Sequence, residues 1–123
     1  MSAFPTNETS RLDRSPRLLA SVLLTTSDDR IYVVPADRIA HVHAVVVCNT
    51  HTTTTTFRLH HVAPGKSSGA ANAQYYDSRL ANSVSLIDET ARPMQPGDAL
   101  RGKASVASVV SVAVYGSELP ARP

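Results

Sequence analysis

The stretch IAHVHAVVVCN, residues 39–49, constrains the architecture more than any other part of the sequence. It is rich in Val, Ile and Ala, and branched Cβ atoms favour the pleated surface of a β-strand. Side chains of a strand point alternately to its two faces. One face is small and apolar and should pack on a core; it consists of Ala40, Val42, Ala44, Val46 and Cys48. The opposite face carries Ile39, His41, His43, Val45 and Val47 and should be half exposed or at an interface.

Further strand-like runs lie on both sides of this stretch, and turn residues separate them. These runs are residues 18–26, 30–34, 52–62, 75–80, 82–88 and 99–119, the last being two strands or one long strand with a break at Gly102. The short polar link after Asn49 predicts a hairpin between residues 39–49 and 52–62. No segment shows a helical period. The sequence therefore predicts an all-β protein, an antiparallel β-sandwich or jelly roll of seven to eight strands.

The distribution of polar residues divides the chain into three parts. A length of 123 residues leaves room for one domain, which we place at residues 18–119. Residues 1–17, MSAFPTNETSRLDRSPR, are polar, contain two prolines and lack both periodicities, which predicts an extended N-terminal arm. Residues 120–123 form a short C-terminal tail, because proline cannot donate to a strand ladder.

The N-terminal arm allows two interpretations. Terminal segments of this composition are commonly disordered tails. The alternative, which we favour, is an arm that becomes ordered on a neighbouring subunit. In that case Phe4 is an apolar anchor, and Arg11, Arg14 and Arg17 are charged subunit contacts.

Composition excludes several classes of protein. The formal net charge is only +2, which is too small for a strong electrostatic mode of nucleic-acid binding. Cys48 is the single cysteine, so an internal disulfide and a Cys-rich zinc site are excluded, and we expect a buried, inert thiol. No apolar run approaches the roughly 20 residues that span a bilayer, and the N-terminus lacks the apolar centre of a secretory signal. We therefore expect no membrane partner and assembly in the cytoplasm.

Histidine spacing offers one candidate metal site. His41 and His43 project from the same strand face, and His60 or His61 could lie opposite them in the predicted hairpin. Three imidazoles on one sheet face would suit a metal ion. Metalloenzymes of the cupin type follow their His-x-His pair closely with a glutamate, whereas AVVVCN follows His43. We therefore expect no metal, no cofactor and no catalytic residue, and interpret these histidines as surface or interface residues.

Motifs of other enzyme classes are missing from the sequence. There is no G-x-S-x-G nucleophile elbow and no glycine-rich phosphate loop. Tyr75 and Tyr76 are adjacent, so one ring should pack and the other should be exposed if they lie in a strand. An exposed tyrosine suits a protein interface.

Six short motifs follow one another along the chain: YVVPA at 32–36, VVCN at 46–49, TFR at 56–58, YYD at 75–77, MQPGD at 94–98 and VYGSE at 114–118. In this order and spacing they resemble the small β-sandwich virion proteins of tailed bacteriophages, over about residues 18–119. Members of that family usually carry a Gly/Thr-rich turn where this chain has Asp37-Arg38, and Ser or Thr where it has His41 and His43.

The resemblance implies a non-enzymatic capsid decoration (cement) protein that binds and stabilises the capsid lattice within the virion. The partners that it implies are the major capsid protein or other virion proteins, and the chain would be a homo-oligomer, with a trimer favoured. A low-copy neck, tail or baseplate/fibre-attachment protein is the first alternative. A small cupin-like metal-binding enzyme is a more distant one. A carbohydrate-binding module ranks low, because the sequence has no Trp.

Overall fold

The computed structural model describes residues 16–121, and the regular structure in this range is almost entirely β. A short 3-10 helix spans Ala70–Asn72. The strands are β1 (Arg17–Leu23), β2 (Asp29–Val33), β3 (Arg38–Asn49), β4 (Thr55–Val62), β5 (Ala73–Leu80), β6 (Ser85–Asp88), β7 (Arg92–Met94), β8 (Ala99–Ala104) and β9 (Val110–Pro120).

The strands form two antiparallel sheets with nested pairing. Sheet A has the order β1-β9-β3-β6, with β7 also paired to β3, and sheet B has the order β2-β8-β4-β5. The first strand therefore pairs with the last, β2 with β8, β3 with β6 and β7, and β4 with β5. Such nesting is a long hairpin rolled into two sheets, which is a jelly roll. The predicted all-β antiparallel sandwich is confirmed, with nine strands in the described range because β6 and β7 share one position.

Apolar side chains from the inner faces of both sheets form the core. Phe57 of β4 and Leu100 of β8 come from sheet B and are almost fully buried. Sheet A contributes Val42, Val45, Val47, Met94, Val110, Val112 and Val114. The ring of Tyr75 packs against Phe57 with 5.1 Å between ring centroids, whereas Tyr76 is exposed. The alternation predicted for these two tyrosines is confirmed.

A β-bulge interrupts the alternation of β3. Its pairing with β9 shifts between Val42 and Ala44, so His43 is an extra residue with no partner of its own. Because side chains alternate with a period of two, one extra residue exchanges the two faces of the strand beyond it. Val45 and Val47, which were expected on the outer face, are therefore buried in the core.

The predicted core face of β3 is correct only before this bulge. Ala40 and Val42 are buried as predicted. Ala44, Val46 and Cys48 lie on the outer face of sheet A instead, where each is only partly buried. The prediction of a fully buried Cys48 thiol is wrong for the same reason.

The predicted hairpin between β3 and β4 is also wrong, because these strands belong to different sheets. Asn49, the last residue of β3, is fully buried where the chain crosses between the sheets. Its side-chain amide donates to the backbone carbonyls of Thr53, Leu80 and Ala81 at 3.0, 2.9 and 3.1 Å. Its Oδ1 atom accepts from the backbone N–H of His51 at 2.9 Å. These bonds hold the link between β3 and β4 at the end of the sandwich. The chain therefore enters sheet B there and does not fold back to pair with β3.

The last predicted run, residues 99–119, forms two strands, but the break is not at Gly102. Gly102 lies inside β8, where a Cβ atom would be 2.5 Å from the carbonyl oxygen of Arg58. The chain turns at residues 105–109 instead. Strand β7 lies between the predicted runs 82–88 and 99–119, where only turn residues were expected. Pro93 is tolerated there because β7 lies at the sheet edge.

The described strands extend from Arg17 to Pro120, one residue beyond residues 18–119 at each end. Almost all of the predicted arm, residues 1–15, lies outside the described range, as do residues 122 and 123. Within residues 16–121 there is no helix of the length and hydropathy needed to cross a membrane.

Candidate docking surface

The outer face of sheet A beyond the bulge carries only uncharged side chains. Strand pairing places these residues side by side across β1, β9, β3 and β6. We call them the docking face, and in three successive rows they are Leu18, Tyr115 and Ala44; then Ser21, Ala113, Val46 and Ile87; then Leu23, Ser111, Cys48 and Ser85.

Large apolar side chains of the docking face are exposed mainly at its two edges. Leu18 and Leu23 on β1 are 51% and 54% exposed, and Ile87 on β6 is 63% exposed. Tyr115 on the central strand β9 is 40% exposed. The remaining members are Val, Ala, Ser and Cys residues, so Tyr115 is the one large side chain on the central strands of the face. Contiguous apolar patches on otherwise polar proteins often mark binding surfaces.

Two bulges beside one residue align these rows. The register of β1 shifts between Leu18 and Ala20, and that of β3 shifts just before Ala44. Both irregularities lie next to Tyr115 on β9, which is the strand between them. Bulges increase local twist and redirect side chains. Without the one in β3, Ala44 and Val46 would point into the core and the docking face would lose its central strand.

The outer face of sheet B has the opposite character. It carries Arg30, Arg58, Arg79, Arg101 and Lys103. Asp77 accepts two hydrogen bonds from Arg58 at 2.7 and 3.0 Å, and the same guanidinium lies 3.9 Å from the ring centroid of Tyr76. The hydrogen bond from Arg58 lowers the pKa of Asp77. Asp28 accepts from Arg101 at 2.8 Å. Cations thus outnumber carboxylates on this face.

A buried ion pair in sheet A is hydrogen-bonded to β5 of sheet B. Arg92 of β7 donates from Nη2 to Asp88 at 2.6 Å and from Nε to Gln74 at 2.7 Å. Tyr75 donates to the same carboxylate at 2.7 Å. Burial disfavours the charge on Asp88, but hydrogen bonds from Thr90, Tyr75 and Arg92 outweigh it and hold the pKa of Asp88 well below its ordinary range.

These groups line a cleft of about 630 Å³ together with His61 and Pro93. The polar groups in the cleft are bonded to other protein groups. The guanidinium of Arg92 makes three hydrogen bonds, and His61 pairs through Nε2 with Asp98 at 3.0 Å. The side chains that line the cleft therefore belong to the hydrogen-bond network that joins the two sheets.

Arg17 is the one predicted contact residue that the structure describes. It is the first residue of β1 and donates to Oε1 of Glu118 on β9 at 3.0 Å. Tyr32 of β2 donates to the other carboxylate oxygen of Glu118. Burial and this hydrogen bond raise the pKa of Tyr32 above its ordinary value. The start of β1 is thus tied to both β9 and β2.

The other predicted contact residues, Phe4, Arg11 and Arg14, lie outside the described range. Their segment precedes Pro16 and so joins the fold at β1, the edge strand of sheet A. Leu18, which follows Arg17, belongs to the docking face. The described range therefore begins beside the edge strand that carries Leu18 of the docking face.

The structure does not bring the four candidate histidines together. His41 and His43 are exposed on the outer face of sheet A, whereas His60 and His61 belong to β4 in sheet B. His60 pairs through Nδ1 with the Oδ1 atom of Asn72 at 2.9 Å. Across residues 16–121, no group of three or more His, Cys, Asp or Glu side chains is placed to hold a metal ion. The prediction that His60 or His61 lies opposite His41 and His43 is wrong, because it required the β3–β4 hairpin.

Sequence reasoning did not find the docking face as a unit. Its exposed members Leu18, Leu23 and Ile87 come from two distant segments. The available signal was the scarcity of charged residues in the segments that became β1, β3 and β9. A scarcity of charged residues predicts that these strands are uncharged, but it does not indicate which face of each strand is exposed.

Comparison with solved structures finds similar chains. The chain is similar to a chain in the acidic stable capsid structure of Helicobacter pylori bacteriophage KHP30, with 12% identity and a TM-score of 0.51, covering 88% of this chain and 94% of that chain. At this identity the match shows a shared fold. A match to the structure of Eiger TNF from S. frugiperda, with 16% identity, 76% and 67% coverage and a TM-score of 0.36, carries no argument. No family model and no curated protein matches the sequence.

Proposed function

We propose that this chain is a non-enzymatic structural protein of a bacteriophage virion, and specifically a capsid decoration (cement) protein that binds and stabilises the capsid lattice. The observation that carries the proposal is the docking face, an uncharged surface with half-exposed apolar side chains on a jelly roll. The likeness to a phage capsid chain, which extends over nearly the whole of both chains, supports it. The partner is the major capsid protein or another virion protein.

Stabilisation follows if the chain binds the assembled lattice and not its free subunits. Such binding shifts the equilibrium toward the intact shell by mass action. Burial of the docking face removes apolar surface from water, which contributes about 25 cal/mol per Å². The N-terminal arm adds a second contact through Phe4, Arg11 and Arg14, and the ion pair of Arg17 with Glu118 fixes the point at which the arm joins β1.

We further propose that the chain acts as a homo-oligomer, with a trimer as the favoured state. Closed symmetric oligomers are the usual form of repeated subunits. Several linked copies would bind a lattice with higher avidity than one copy.

The copy number of the chain in purified particles tests the proposal. Quantitative mass spectrometry would compare this chain with the major capsid protein of the same particles. Hundreds of copies per particle are expected for a decoration protein. A handful, in multiples of three, five or six, would indicate a neck, tail or baseplate protein instead. Absence from the particles would overturn the virion role.

A further inference from the structure

We propose that the docking face lies against an uncharged, apolar surface of the shell protein, so that sheet A faces the particle and sheet B faces solvent. This inference rests on the proposed function and adds an orientation to it. It follows from three properties of the described residues: the charges of the two outer faces, the exposed area of the docking face, and the position of Arg17.

The distribution of charge selects sheet A as the buried side. The docking face contains only Leu, Ile, Val, Ala, Tyr, Ser and Cys side chains, so its burial dehydrates no ion. Burial of sheet B would remove the cations of its outer face from water, among them Arg30 and Arg79, which are exposed. Dehydrating a charge without a matched partner is strongly unfavourable. An uncharged protein surface is therefore the complementary partner for sheet A.

The exposed apolar area of the docking face favours binding to an assembled shell over a complex of two proteins in solution. Leu18, Leu23, Ile87 and Tyr115 are each about half exposed. At about 200 Å² for a fully exposed large side chain, they present about 400 Å² together. A stable pair of proteins buries about 800 Å² on each partner. These four apolar side chains supply only about half of such an interface, so the partner must also contact other parts of the chain.

The N-terminal arm of the proposed function supplies that second contact, and Arg17 fixes where the arm leaves the fold. The ion pair with Glu118 holds the first residue of β1 at the border of the docking face. Residues 1–15 precede this point, and a fully extended segment of that length reaches at most about 50 Å. A shell protein under sheet A is within that reach, so one partner would receive both the docking face and the arm. Joined contacts of this kind raise avidity without requiring either to be strong.

A pair of charge-insertion variants tests this orientation. Leu23→Lys combined with Ile87→Lys places two cations on the docking face. Val33→Lys combined with Tyr76→Lys is the matched control, because it places two cations at exposed apolar positions of sheet B. Each purified protein is added to particles that lack this chain, and occupancy is measured against protein concentration. Circular dichroism confirms the fold of each variant, and light scattering gives its mass in solution.

The expected result is a loss of about tenfold or more in apparent affinity for the docking-face variant, with the control binding as the wild type does. Unchanged binding of the docking-face variant would overturn the orientation, as would loss of binding by the control alone. If the docking-face variant has a lower mass in solution than the wild type, a second copy of the chain occupies the face and the inference is wrong. Failure of the wild type to bind any particle would instead overturn the proposed function.

Discussion

Gly116 of β9 lies directly against the backbone of His41 in β3, and a Cβ atom on Gly116 would be 2.2 Å from the carbonyl oxygen of His41. Gly116 pairs with Val42, immediately before the extra residue His43. This close approach of the two backbones therefore coincides with the bulge that exchanges the faces of β3. The docking face depends on this bulge, because Val46 would point into the core of an unbroken strand.

Replacing Gly116 with alanine should destabilise the protein. In an ordinary strand position, alanine is more favourable than glycine by about 0.5–1 kcal/mol. Here the added methyl group meets backbone atoms that cannot move aside independently, so we expect Gly116→Ala to lower the free energy of unfolding by about 2 kcal/mol. Urea unfolding measures this change. Gly69→Ala is the control, because a Cβ atom there has no neighbour within 4 Å. A Gly116→Ala protein as stable as the wild type would contradict the packing described for the bulge.

Asn49→Ala should remove the buried amide that directs the crossover from β3 to β4. Its loss leaves the backbone carbonyls of Thr53, Leu80 and Ala81 without this donor. Because buried groups without partners are unfavourable, we expect a decrease of about 3 kcal/mol in the free energy of unfolding. Asn82→Ala changes the same residue type at an exposed position of the β5–β6 turn and should stay within about 0.5 kcal/mol of the wild type. Equal effects of the two substitutions would show that the crossover does not depend on Asn49.

The Asp88–Arg92 pair should make stability depend on pH in the acid range. The pKa of Asp88 is lowered in the folded protein, so below about pH 4 the unfolded chain takes up this proton first. The contribution of ionised Asp88 to the free energy of unfolding is fully present above the pKa of this carboxyl in the unfolded chain. It is lost as the pH falls through the pKa of Asp88 in the folded protein. We therefore expect the unfolding midpoint to fall progressively as acid is added below about pH 4.

Asp88→Asn checks this assignment by thermal unfolding across the same pH range. The variant should be about 3 kcal/mol less stable at neutral pH, because it leaves Arg92 buried without its charged partner. It should also show a shallower loss of stability in acid. Asp37→Asn, at an exposed turn, is the matched control for removing one carboxylate. A variant whose acid profile parallels that of the wild type would show that other carboxylates cause the acid response.

Deletion of residues 1–15 should abolish particle binding without changing the fold. The described strands begin at Arg17, so this truncation keeps the ion pair of Arg17 with Glu118. The unfolding midpoint should match that of the full chain, while particle occupancy should fall to background. Phe4→Ala and the double substitution Arg11→Ala with Arg14→Ala would locate the contact within the arm. Full decoration by the truncated protein would show that the arm is not a contact.

The candidate site shows where sequence reasoning succeeded and where it failed. Tyr75 and Tyr76 could be assigned to opposite faces, because alternation in an unbroken strand depends on neighbouring residues alone. The histidines could not be placed, because the position of His60 relative to His41 depends on which strands pair. Short polar links occur both in hairpins and in crossovers between sheets. Here the link is a crossover, and the buried amide of Asn49 bonds its start to Leu80 at the end of β5 and to Ala81.

Composition and alternation sufficed for an antiparallel all-β sandwich, since strand propensity, turn chemistry and the absence of a helical period are properties of short segments. Tertiary structure selected the nested pairing of the strands and the face of β3 that is exposed. The reason is physical: the bulge at His43 exists where Gly116, from the far end of the chain, allows two backbones to approach closely. A contact between distant segments leaves no periodic signal in either one. The docking face therefore could not be predicted from the sequence, because strand pairing brings its residues side by side.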